Sequence, residues 1–91
     1  MKHLLVQYRV EFYENDFSGD SVFSFYTQLA PSSFAIGHFV EPRTWPSNPL
    51  PKDQHYKITA IEHLCSVVAK ARVLHSLSIC VKPVPRAKGT R

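Results

Sequence analysis

For ninety-one residues of 10.4 kDa, 44% hydrophobic and 20% charged, the expectation is one folding unit with one hydrophobic core and no second domain. A mean hydropathy of −0.17 is neither that of a membrane span nor that of a disordered chain. Eleven Lys and Arg against seven Asp and Glu give a net charge of +4; a chain of this size buries only about 60–65% of its unfolded surface, so a deep substrate cleft is not expected.

The charge is unevenly spread. Residues 1–41 carry Lys2 and Arg9 against Glu11, Glu14, Asp16, Asp20 and Glu41, whereas residues 42–91 carry nine bases against Asp53 and Glu62. Such a dipolar molecule offers its basic half to an anionic partner, or simply solvates it. Cys65 and Cys80 are too few for the disulfide framework of a small secreted domain, and no signal-type segment precedes them, so a cytoplasmic location without membrane attachment is expected.

Along the chain, Leu4, Val6, Tyr8, Val10 and Phe12 alternate with Gln7, Arg9 and Glu11. This period of two predicts a strand with one row of side chains on a core and the other in water. Glu14 to Asp20 supplies turn chemistry, and Val22–Leu29, rich in Phe and Tyr, predicts a second strand ended by Pro31. Ser33–Val40 predicts a third, with a bend at Gly37. Pro42, Pro46, Pro49 and Pro51 then punctuate residues 41–55. Four prolines cannot share a sheet ladder, so a proline-stiffened surface loop follows, with Trp45 either folded back over the domain or standing out as an interface anchor.

Tyr56–Val81 admits two readings. As strands, Tyr56 and Ile58 face inward, a bulge at Ala60–Ile61 shifts the phase, and Ile61, His63, Cys65 and Val67 continue inward. The return strand then carries His75, Leu77, Ile79 and Val81 inside, with Ser76, Ser78, Cys80 and Lys82 outside. As a helix, Thr59–Glu62 forms a capping box and Ile61, Leu64, Cys65 and Val68 line one face. Val67, Val68 and Val73 favour the strands.

The expected architecture is mainly β: a small antiparallel barrel or two-layer sheet of about five strands crossed by a Pro-rich loop. The alternative is α+β with a helix at 60–72 on the sheet. The compact domain is expected over 1–82, with 83–91 a basic flexible tail.

No constellation specifies a reaction. His55, His63, Cys65, His75 and Cys80 crowd one stretch, but on strands His75 and Cys80 point to opposite faces, and on a helix His63 and Cys65 diverge by about 200°. Four metal ligands do not converge. Cysteine–histidine or serine nucleophiles lack any supporting motif. Glu14, Asp16, Ser18, Gly19 and Asp20 imitate the start of a calcium loop, but its twelfth position is Phe25 where a bidentate Glu is required. A hairpin turn explains them.

No catalytic residue, metal or cofactor is therefore expected. The chain reads as a non-enzymatic interaction module acting through protein–protein contacts or as a homodimer, because a few-stranded sheet leaves edges to be paired or covered. The alternative is nucleic-acid or other polyanion binding through the basic half. The candidate interaction surface is Arg43, Trp45, Lys52, Tyr56, Lys57, Arg86 and Lys88.

Overall fold

Five strands form one mixed sheet in the computed structural model, which describes residues 5–30, 34–47, 50–69 and 72–86. They are β1 (Leu5–Glu14), β2 (Phe23–Thr27), β3 (Phe39–Val40), β4 (Gln54–Ala69) and β5 (Arg72–Pro85), in the order β2-β1-β5-β4-β3. The sheet curls into a half-barrel, and no helix occurs among the described residues. In place of the alternative helix at 60–72, residues 60–69 and 72 are strand, 70 and 71 lying outside the described residues: the three valines near the hairpin sit more easily on a pleated surface than in a helical turn.

Three of the four strand pairs are antiparallel, as expected, but β1 and β5 run parallel, with Val10 opposite Leu77 and Phe12 opposite Ile79. Alternation of side chains states which face is buried and is silent on the direction of the neighbouring strand.

The inner face collects the apolar rows. Val10, Phe12, Tyr56, Ile58, Leu77, Ile79 and Val81 form the buried core, flanked by Phe23, Phe25, Phe34, Trp45 and Ile61. The Pro-rich segment closes this face. Trp45 folds back, stacking on Phe23 at 4.6 Å between ring centroids and on Tyr56 at 5.7 Å, and Pro42 is fully buried beside it. Such a lid is what a sheet with one layer requires, since its apolar face has no second sheet to meet.

The third strand contracts to Phe39–Val40. Gly37 adopts φ +93°, and a turn closes with His38 N–H donating to Ala35. The expected bend is there, and it consumes the residues that would have extended the strand. The bulge falls between Ile58 and Ala60, earlier than Ala60–Ile61. Its consequence is as expected: Ile61, His63, Cys65 and Val67 oppose Ile79, Leu77, His75 and Val73 on the inner face.

Ser76 and Cys80 lie on the outer face yet are buried. β5 is central, so these short side chains sink between longer neighbours, Ser76 between Arg9 and Leu64, and Cys80 between Tyr13 and Ala60.

β5 also runs past Lys82, where the domain was expected to end: Pro83 opposes Tyr56 and Pro85 opposes Gln54. The carbonyl of Val81 accepts from Asn15 N–H at the end of β1. Pro83 and Pro85 share the backbone orientation of Val81, so their missing N–H groups face the side where β1 has already stopped. Residues 87–91 of the expected tail lie outside the described residues.

Candidate interaction surface

The seven candidate residues are not one surface. Tyr56 has 0% of its surface exposed, and its hydroxyl donates to Glu14 Oε2 at 3.1 Å. Burial, followed by the Glu14 charge, holds its phenol well above the ordinary tyrosine range. Trp45 belongs to the lid described above. The Tyr56 ring is closed to solvent, and the Trp45 ring is half-buried with a face stacked on Phe23, so neither stands out as a free platform for a base or a partner. Lys88 lies outside the described residues.

Arg43, Lys52 and Arg86 do come together, around an open hollow of about 350 Å³ with Glu41, Leu50 and Gln54. Arg86 is committed there: its guanidinium bonds Glu41 and donates from Nε to the Lys52 carbonyl at 2.9 Å, while its backbone N–H donates to Asp53. Arg43 stands 3.9 Å from the same Glu41 carboxylate. These contacts pin the Pro-rich segment to the end of β5. Lys57 is exposed on the outer face directly opposite Lys82.

Sequence reasoning missed one open part of the molecule. Beyond Ile58, β4 and β5 continue as a hairpin arm whose apolar side chains outrun the core. Leu64 is 61% exposed, Val67 72% and Val68 59%, with Leu5 at 68% on the adjoining end of β1. Leu5, Val6, Val68 and Val73 line a second hollow of about 470 Å³. Cys65 and His63, expected to face inward against a core, are on the inner face but exposed, since the lid does not reach them.

The arm carries an open edge as well. β3 pairs with β4 only at Tyr56 and Lys57, and Ile58 completes its bonds with Gly37 and His38. From Thr59 to Ala69 the outer edge of β4 meets no strand among the described residues. Because Val81 on β5 turns its carbonyl to β1, alternate residues of β5 bond β1, and those between bond β4. The register then leaves the N–H and C=O groups of Ile61, His63, Cys65 and Val67 pointing off the open edge. The sequence signal was present: between Thr59 and Ala69 there is no Lys, Arg or Pro and Glu62 is the only charge, so little blunts the edge between the bulges at its two ends.

On the arm's inner face His63 Nδ1 and His75 Nε2 are 2.9 Å apart, and Tyr8 lies against His75 with ring centroids 5.3 Å apart. Cys65 is directly opposite His75, whereas Cys80 is on the other face, as strand geometry required. Among the described residues no group of three or more His, Cys, Asp or Glu is arranged to hold a metal ion. In the acidic turn Asp16 accepts from both the N–H and the hydroxyl of Ser18, which lowers its pKa. No described helix is long and apolar enough to cross a membrane.

In comparisons with protein-family models, curated proteins and solved structures, no match to this chain is found.

Proposed function

We propose that this chain is a small non-enzymatic interaction module that docks a protein strand along the open edge of its β4–β5 arm. One observation carries the reading: a backbone edge from Thr59 to Ala69 that pairs with no strand among the described residues coincides with exposed Leu64, Val67 and Val68. Main-chain groups of an added strand supply affinity and the flanking apolar side chains supply selectivity, the mode called β-augmentation. Two unpaired thiols, Cys65 and Cys80, are consistent with a cytoplasmic setting for such a module.

Immobilised wild-type chain and the Leu64→Lys variant, exposed to the same lysate, test the reading. Position 64 is exposed, so the variant folds with stability within about 0.5 kcal/mol of wild type, yet it releases partners held through the arm. Equal capture by both proteins would remove the arm from the docking surface.

A second reading rests on Lys57 and Lys82. Like charges placed directly opposite are unfavourable in a sheet, and an anion over the outer face, phosphate of a nucleic acid included, would relieve them. Binding to a random oligonucleotide should then fall steeply with salt and weaken on Lys57→Gln; no binding at low ionic strength would eliminate this reading.

A further inference from the structure

We infer that the strand docked on β4 is β4 of a second copy, added antiparallel about a two-fold axis through Leu64 so that the two sheets join through their β4 strands. This rests on the docking reading above and names its partner.

The first argument is hydrogen-bond closure. The outward-facing residues are Ile61, His63, Cys65 and Val67. A two-fold at Leu64 pairs Ile61 with Val67 of the other copy and His63 with Cys65, so every outward N–H and C=O of the edge finds a partner within the same set. Moving the axis to His63 or Cys65 leaves one outward residue of the set opposite a residue at or beyond a bulge.

Side chains agree with that register. Leu64 meets Leu64, Ile61 meets Val67, and Glu62 meets Ser66, so apolar groups oppose apolar ones and the sole carboxylate opposes a hydroxyl. The copies each carry +4, but between Thr59 and Ala69 the only full charge is Glu62, and the axis keeps the two Glu62 side chains apart. The other sheet edge, β2, is only five residues long and offers no comparable run.

Sedimentation of the purified full chain between about 1 and about 100 µM tests this. Wild type is expected to sediment as a dimer at the upper end. Leu64→Lys, which sets two ammonium groups face to face, and Leu64→Glu, which does the same with carboxylates, each dissociate it; mixing the two variants restores a dimer. With the axis at His63, position 64 would oppose Glu62 instead, so a Leu64→Lys variant that dimerises more tightly overturns the register. A dimer unaffected by either variant overturns the use of this edge. A wild-type monomer throughout overturns the second copy as partner, while capture of other proteins by wild type and not by Leu64→Lys would leave the docking arm intact. As a measurement independent of these charges, with oxidised glutathione as the electron acceptor, His63→Cys should form an interchain disulfide with Cys65 at least about tenfold faster than wild type forms any, because paired positions are held at high effective concentration and within disulfide reach. Equal rates overturn the pairing.

Discussion

Tyr56 on β4 and Glu14 at the end of β1 are joined by a hydrogen bond of 3.1 Å that spans the intervening strand β5. The bond links the two hairpin-like halves of a sheet whose central pair is parallel, and it does so beside the Trp45 lid. Burial chiefly, and the Glu14 charge next, raise the Tyr56 pKa above the ordinary value of 10.0. Stability held by the protonated phenol is therefore complete below about pH 10 and lost as pH climbs beyond it. Tyr56→Phe should lower stability by about 1.5–3 kcal/mol at neutral pH, the usual worth of a hydrogen bond to a charged group. Urea titrations of both proteins should show this gap narrowing above pH 10; a gap that widens there contradicts the assignment.

Trp45→Ala removes the ring that Phe12, Phe23 and Tyr56 pack against. Loss of about 3 kcal/mol is expected, a large share of the about 5–14 kcal/mol a domain of this size commands. Thermal unfolding followed by circular dichroism measures it. A change below about 1 kcal/mol would mean that the lid does not close the core.

At Gly37 an added Cβ would meet nothing within 4 Å, but φ is +93°. The cost of Gly37→Ala is thus conformational, about 1–2 kcal/mol, without any change in packing. Denaturation midpoints should shift while the denaturant slope stays constant.

The two thiols should separate cleanly. Cys65 is exposed and Cys80 is 3% exposed. A maleimide added to native protein should label Cys65 alone, with Cys80 reacting only in denaturant, as peptide mass spectrometry would reveal. Labelling of Cys80 at a comparable rate would contradict the packing between Tyr13 and Ala60.

Much of this architecture was legible in the residues. Val10 and Phe12 alternate with Arg9 and Glu11, and the structure buries the former pair. The phase shift near Ala60, the bend at Gly37 and the return of Trp45 over the core also follow from local chemistry. What escaped was extent. Alternation places His63, Cys65 and Val67 on the inner face, but it does not say that the lid stops short of them. Likewise, the basic residues and aromatics of the candidate surface are neighbours in sequence, yet Tyr56 and Lys57 point to opposite sides of one strand. The prolines at 83 and 85 read as the end of order, and only the position of β1 makes them acceptable inside a strand.

Amide hydrogen exchange along β4, followed as protein concentration rises, tests the docking edge most directly. Glu62, Leu64 and Ser66 turn their N–H groups to β5 and should be protected at every concentration, whereas Ile61, His63, Cys65 and Val67 should exchange freely in dilute solution and become protected as copies associate. Fast exchange at these four amides that never responds to concentration, in a protein still folded, would contradict self-pairing of the arm.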